Sequence, residues 1–175
     1  HRMHAAAVDA AGLITNWAPA VNGPVFTFSR SGNNIYMGGN FSIINGQSRS
    51  GAGAVDTTGA VTAWNPSPDG RAVSIIATTN KVYMAGWFNN VGSTPMRNLA
   101  VVDPTTGALD TSFDAQLDGA VRTMTLSGST LFIGGDFANA GGAAHNNVAS
   151  LNATTGAINS AFQVDTGVGT QIWSF

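Results

Sequence analysis

The sequence predicts an all-β fold made of repeated four-stranded units. Residues that favour strands are more common than those that favour helices, one pattern recurs every 47 to 49 residues, and turn sequences separate short apolar segments. Leucine-rich repeats and the coils of β-helices have shorter periods than this one. The period therefore indicates a larger repeating β-unit.

The amino-acid composition limits both the fold classes and the functions that are possible for this chain. All nine acidic residues are aspartate, Lys81 is the single lysine, and Thr, Asn, Ser, Gly and Val dominate, so helices are disfavoured. The hydrophobic content of 43% argues against a disordered chain. A formal charge of -2 with scattered Lys and Arg residues argues against nucleic acid as a partner. No apolar stretch is long enough for a membrane span, and the lack of cysteine excludes disulfides and thiolate metal sites.

The clearest part of the repeat is a strand-like segment that contains glycine and ends in phenylalanine. It occurs as residues 36–41 (YMGGNF), 83–88 (YMAGWF) and 132–137 (FIGGDF). Fifteen residues after each phenylalanine, a turn sequence ending in glycine opens at Asp56, Asp103 or Asn152, and a further copy opens at Asp9. The Asx side chain can bond to its own backbone and glycine can adopt a positive φ, so each turn is predicted to close a tight hairpin.

A large aromatic residue stands five or six residues beyond each turn glycine. The four residues in this slot are Trp17, Trp64, Phe113 and Phe162. Because a large aromatic residue recurs at the same position of each repeat, we predict that each repeat forms the same pocket for it.

Each unit offers four strand candidates, which in the middle unit are residues 72–78, 81–88, 97–103 and 107–113. The pairs Gly38-Gly39 and Gly134-Gly135 lie inside such strands, where glycine normally weakens pairing. They therefore predict a bulge or a close approach of neighbouring backbones. Continuous apolar runs such as residues 98–102 are typical of a sheet that is covered on both faces.

Equal four-stranded sheets that cover one another's faces are typical of a β-propeller, whereas a β-sandwich gives no reason for this repeat. We therefore predict one domain over residues 1–175, an open or partial ring of about 3.5 to 4 blades. Complete blades are expected near residues 24–66, 72–114 and 121–163, hereafter the first, second and third units, with a blade remnant at 1–18 and the start of another blade at 170–175. More chain, in a propeller of about six to eight blades, or further copies would close the ring.

The repeat resembles a known family. Its apolar strand, its Tyr/Phe-x-Gly-Gly-x-Phe element and its Asn-Leu-Ala-Val-Val-Asp-x-x-Thr-Gly-x-x-Asp-x-x-Phe element are similar to the delta-60 repeats (domain of unknown function 5122) of bacterial exported proteins, most closely at residues 83–113. The resemblance implies repeat-built β-propellers in large secreted or cell-surface proteins, with no assigned chemistry. Residues 51–55 (GAGAV) and Trp87 depart from the pattern. The spacing from Ala54 to Trp64 also resembles the tryptophan docking motif of quinoprotein propellers, but no quinone-binding constellation accompanies it.

No motif in the sequence indicates a catalytic or metal centre. His1 and His4 have the spacing of a metal-binding pair but no further ligand, and His145 is interpreted as a loop residue. The matching pairs Asp69-Gly70 and Asp118-Gly119 offer far fewer than the roughly six to eight oxygen ligands that Ca²⁺ takes. We therefore predict no metal, no cofactor and no enzymatic activity in this chain.

Positions that differ between equivalent repeats are free of the shared packing rule and are candidates for specificity. Aligned by sequence alone, one slot contains Phe26, Ser74, Arg122 and Trp173, a second contains Asn40, Trp87 and Asp136, and a third contains Arg49, Met96 and His145. The predicted contact residues are Trp87, Arg97, Arg122 and Trp173.

These features favour a non-enzymatic secreted or cell-surface module that binds a protein or a glycan, or that serves as a scaffold. The lysine-poor surface favours an extracellular location. Two alternatives stay open: a fragment of a propeller enzyme of the glycosidase or lyase type whose active site lies in other blades, and a quinoprotein-like propeller.

Overall fold

Strands and turns make up the secondary structure of the computed structural model, which describes residues 3–162 together with Val164 and Ile172. Among these residues no helix occurs, and all strand pairings are antiparallel. The all-β prediction is confirmed. Within the same part of the chain, no helix is long and apolar enough to cross a membrane.

Each unit contains one three-stranded sheet and one short hairpin. In the first unit the sheet is formed by β1 (Val25–Ser31), β2 (Asn34–Gly39) and β5 (Ala52–Asp56), and the hairpin by β3 (Ile43–Ile44) and β4 (Gln47–Ser48). In the second unit the sheet is formed by β6 (Arg71–Ala77), β7 (Val82–Trp87) and β10 (Leu99–Val102), and the hairpin by β8 (Asn90–Val91) and β9 (Thr94–Pro95). In the third unit the sheet is formed by β11 (Val121–Ser127), β12 (Thr130–Gly135) and β15 (Val148–Asn152), and the hairpin by β13 (Asn139–Ala140) and β14 (Ala143–Ala144).

The fourth strand predicted for each unit is reduced to a single bridge. Residues 107–113 of the second unit contribute only the pairing of Leu109 with Val102. The pairing stops there because the next residue turns: the Asp110 carboxylate accepts hydrogen bonds from the Ser112 N–H (3.1 Å) and hydroxyl. The first and third units have one equivalent bridge each, and a further bridge pairs Val8 with Ile14 in the predicted blade remnant. Most of the predicted blade start at 170–175 lies outside the described residues.

The glycine pairs mark both a bulge and a close backbone approach, as predicted. Opposite them, the pairing register shifts by one residue in the first strand of each unit, at Phe26, Val73 and Arg122. A Cβ atom on Gly38 would lie 2.9 Å from the carbonyl oxygen of Ala72 in the neighbouring unit. The register also corrects the sequence alignment, because the residue equivalent to Phe26 and Arg122 is Val73 and not Ser74.

Residues 51–55 depart from the repeat pattern in sequence, but their backbone has the same conformation as in the other units. Gly51 has a φ of 62°, and the residues equivalent to it, Asn98 and Asn147, have φ values of 65° and 67°. Glycine and asparagine tolerate this left-handed region better than other residues. The first unit therefore uses glycine where the other two use asparagine.

The three sheets pack face to face in series. In β7, Val82 and Met84 pack with residues of the first unit, whereas Tyr83 and Ala85 pack with residues of the third. The first strands also lie side by side, β1 next to β6 and β6 next to β11. The Ser29 hydroxyl oxygen accepts a hydrogen bond from the Ala77 N–H at 2.8 Å, so a side chain satisfies a backbone donor of the next unit. The prediction that the middle sheet is covered on both faces is confirmed.

The aromatic slot forms a recurring pocket, also as predicted. Trp64 and Phe113 are fully buried, and they pack edge to face on Tyr36 and Tyr83, with ring centroids 5.0 and 6.2 Å apart. The Trp64 indole N–H donates a hydrogen bond to the Asp103 carbonyl oxygen at 3.0 Å. Trp64 thus lies between the sheet of its own unit and the turn of the next unit, whereas Trp17 and Phe162, at the two ends of the series, are half-buried.

Candidate binding site at the bulged end of the sheets

The bulges bring side chains from all three units together at one end of the neighbouring first strands. Phe26, Val73 and Arg122, the three bulge residues, line a cavity of about 330 Å³ together with Arg71 and Trp87. We call these five residues the Trp87 site. A bulge re-aims the side chain of its extra residue, and bulges are common beside functional sites.

Two arginines contact the ring of Trp87. Arg71 is its pairing partner across the β6–β7 ladder, and its guanidinium carbon lies 4.7 Å from the ring centroid. The guanidinium carbon of Arg122, from the third unit, lies 4.6 Å from the same centroid. Both distances are within the range of cation–π attraction. The contacts join two units through one side chain.

Arg122 is held in place by Asp136 of its own unit. The Arg122 Nε donates to both carboxylate oxygens, at 2.8 and 2.9 Å, and its Nη2 lies 2.7 Å from Oδ2. Both side chains are largely buried, with 14% and 25% of their surfaces exposed. A forked guanidinium–carboxylate contact fixes orientation as well as charge. Arg122 is therefore a rigid part of the site.

Arg71 is exposed, and its charge has no carboxylate partner within ion-pair distance among the described residues. In that part of the chain the ion pairs are Arg122 with Asp136 and Lys81 with Asp110. The positive charge of Arg122 is thus compensated locally, whereas that of Arg71 is presented to solvent beside an aromatic ring.

A second cavity, of about 510 Å³, shares Arg71 and Trp87 with the first. Its wall is rich in side chains that donate or accept hydrogen bonds, among them Asn22, Asn40, Ser42, Ser50 and Asp69. The first cavity is lined mainly by apolar surface and the second mainly by polar surface. Arg71 and Trp87 therefore separate an apolar cavity from a polar one.

The Asp69 carboxylate shapes the polar cavity by organising the loop after β7. Its Oδ1 accepts hydrogen bonds from the N–H groups of Asn89 and Asn90, and its Oδ2 accepts one from the Asn90 amide at 2.7 Å. Partial burial opposes ionisation, but these hydrogen bonds outweigh it and lower the pKa of Asp69. Asp118 makes the same contacts in the third unit, and Asn22 makes similar ones in the first. These residues have a structural reason to be where they are, and among the described residues no three His, Cys, Asp or Glu side chains cluster as metal ligands would.

The predicted contact residues are only partly brought together. Trp87 and Arg122 meet, whereas Arg97 lines a separate cavity of about 240 Å³ with Asp114 and Gln116, and Trp173 lies outside the described residues. In the third variable slot, only 8% of Met96 and 4% of His145 is exposed, and the partly buried Arg49 donates a hydrogen bond to the Thr62 carbonyl oxygen at 2.7 Å. That slot packs against the protein instead of facing a ligand, and His145 is a buried loop residue.

Sequence reasoning missed Arg71. It directly follows the Asp69-Gly70 pair, in a position that Pro24 and Ala120 occupy in the other units. Its cross-strand pairing with Trp87 was the available signal, but that pairing depends on the strand register. A search of family models, of curated proteins and of solved structures found no match to this chain.

Proposed function

We propose that this chain is a non-enzymatic binding module of an exported protein, and that it binds a protein or glycan ligand at the Trp87 site. The observation that carries the proposal is the contact of Arg71 and Arg122 with one tryptophan ring between two cavities. The repeat does not require it, because the equivalent residues of Trp87 are Asn40 and Asp136.

We further propose that the units are blades of a β-propeller. Three sheets in series, each covering its neighbour's face, with their first strands side by side, support this arrangement. The bridged segment at the end of each unit would be the outer fourth strand. In a propeller the loops and bulges at one end of the blades form a shared surface, and ligands are commonly bound on loops held by a rigid scaffold.

The residue types of the site suit binding. An arginine guanidinium remains protonated under ordinary conditions, so it contributes charge and directional donors but no proton transfer. Tryptophan adds a large, rigid contact surface with few rotatable bonds. The resemblance to the delta-60 repeats of exported proteins supports an extracellular location.

A glycan array probed with the whole chain and with Trp87→Asn tests this proposal. Asparagine is the residue that the first unit has at this position, so we expect the variant to fold. The wild-type protein should bind a defined set of glycans on the array. The affinity of Trp87→Asn for these glycans should be at least about tenfold lower, since hot-spot tryptophans commonly contribute about 2 kcal/mol or more.

Arg97→Gln is the matched control, because Arg97 is exposed but lines a different cavity. It should bind as wild type does. Equal binding by wild type and Trp87→Asn would overturn the proposed site, and turnover of a retained glycan would favour the enzyme alternative.

A further inference from the structure

The charge balance of the Trp87 site points to an anionic ligand group. Arg122 is neutralised by Asp136, whereas Arg71 is exposed and pairs with no carboxylate in the described part of the chain. A guanidinium presents a planar fork of donors that matches the oxygens of a carboxylate or sulfate. Contact with the Trp87 ring orients that fork before any ligand arrives.

The polar cavity beside Arg71 favours hydroxyl groups. Its asparagine and serine side chains both donate and accept hydrogen bonds, as sugar hydroxyls do. Asn22, Ser42 and Ser50 also bond within the protein, and each keeps a further donor or acceptor beyond those bonds. Asp69, on the same wall, accepts only, and it is held ionised by the loop bonds described above. An anionic carboxylate there can accept hydrogen bonds from sugar hydroxyls.

The apolar cavity on the other side of Trp87 supplies a surface for the face of a ring. Phe26, of which 49% is exposed, and the half-buried Val73 lie there beside the indole. Pyranose rings have apolar C–H faces and polar edges, so they match a site in which apolar and polar walls meet. At about 330 and about 510 Å³, the two cavities together have room for more than one sugar residue.

We infer that the Trp87 site binds an anionic saccharide, a pyranose chain that carries carboxylate or sulfate groups. The anionic group pairs with Arg71, one ring packs near Trp87 on the Phe26 side, and hydroxyls of a neighbouring ring bond to the polar wall. This inference rests on the proposed function and names its ligand class.

Isothermal titration of the whole chain against four probes tests it. The probes are a panel of uronate oligosaccharides, the same oligosaccharides after reduction of the carboxyl groups, sulfated oligosaccharides, and a poly-aspartate peptide. At least one anionic panel should bind about tenfold or more tighter than the reduced one, because a hydrogen bond to a charged group contributes about 1.5–3 kcal/mol. Its affinity should also fall as salt is raised.

Arg71→Gln should lower the affinity for the anionic saccharide to that of the reduced one, with an unchanged unfolding temperature because the side chain is exposed. Arg97→Gln should change neither. Equal affinity for anionic and reduced saccharides, with sensitivity to Trp87→Asn retained, would overturn the inference and leave the binding module in place. Tighter binding of the peptide would overturn it in favour of an acidic protein partner, and no binding of any probe would count against both proposals.

Discussion

The two ends of the sheets differ in what the units have in common: side-chain contacts at the turn end, and backbone conformation alone at the bulged end. At one end, the turns at Asp56, Asp103 and Asn152 repeat the same side-chain contacts, with each Oδ1 accepting a hydrogen bond from the N–H two residues on. At the other end, the bulges repeat in backbone alone, and their residues are phenylalanine, valine and arginine. Side-chain identity is constrained where units dock and varies where they face a cavity.

Docking explains the constraint at the turns. The Trp17 and Trp64 indoles donate hydrogen bonds to the carbonyls of Asp56 and Asp103, in the turn of the following unit. The Tyr36 hydroxyl donates to the Pro104 carbonyl at 2.7 Å, again in the next unit. A change in any of these groups leaves a gap or an unsatisfied group between two units. At the bulged end, the Phe26 and Val73 side chains line a cavity, and a side-chain contact between units there is that of Arg122 with the Trp87 ring.

The sharpest test of this contrast compares two tryptophans. Trp64→Ala should lower the free energy of unfolding by about 3–5 kcal/mol, because it leaves a cavity in a fully buried slot. Trp64→Phe, which matches Phe113 of the next unit, should cost about 1 kcal/mol, mainly the lost hydrogen bond to Asp103. Chemical denaturation measures both.

Trp87→Ala is the control at the other end, and it should cost clearly less than Trp64→Ala because Trp87 is only half-buried. Similar losses at the two positions would mean that the bulged end is as important for docking as the turns.

A smaller effect is expected from Gly86→Ala. A Cβ atom there would overlap the Arg71 carbonyl oxygen and lie 3.0 Å from the Ala72 Cα, so strands β6 and β7 must separate. We expect a loss of about 1–3 kcal/mol, typical of overpacking, together with weaker ligand binding since Arg71 moves. Gly12→Ala, where nothing lies within 4 Å and φ is 78°, should cost about 1 kcal/mol and leave binding unchanged. Binding that survives Gly86→Ala would show that the β6–β7 register does not position the site.

The smallest effect concerns the pH dependence of stability. Partial burial opposes ionisation of Asp118, but hydrogen bonds from the Asn139 and Ala138 N–H groups and the Asn139 amide lower its pKa below the ordinary 3.8. A lowered pKa in the folded state means that ionised Asp118 stabilises the fold above its ordinary pKa. This contribution is lost as the pH falls below about 3.8 and through the lower pKa of the folded state.

Asp118→Asn keeps an acceptor for the backbone N–H groups, as Asn22 does in the first unit. Its unfolding temperature should therefore fall less steeply with acidification than that of wild type. Asp118→Ala should lose about 1 kcal/mol at neutral pH, because two backbone donors lose their partner. An equally steep acid profile for wild type and Asp118→Asn would show that the carboxylate charge contributes nothing.

The sequence alone determined the all-β class, the units, the turns, the aromatic slot and the glycine bulges. These features depend on interactions between residues close in sequence, such as an Asx side chain bonding to the backbone of its own turn. Because the same residues recur in each repeat, such features can be recognised from the sequence. The fourth strand of each unit was predicted from the same pattern, but at Asp110 a local turn competes with strand pairing and ends it after one bridge.

Only the tertiary structure decided which side chains form the site. The one-residue shift at each bulge places Val73, and not Ser74, beside Phe26 and Arg122. The glycines predict that a bulge occurs, but they do not predict which residue of the first strand it displaces. Arg71 reaches Trp87 through strand register, and Arg122 reaches it from another unit through the stacking of sheets. Such contacts depend on how separate segments are placed in space. The local sequence of one segment does not determine which other segments pack beside it.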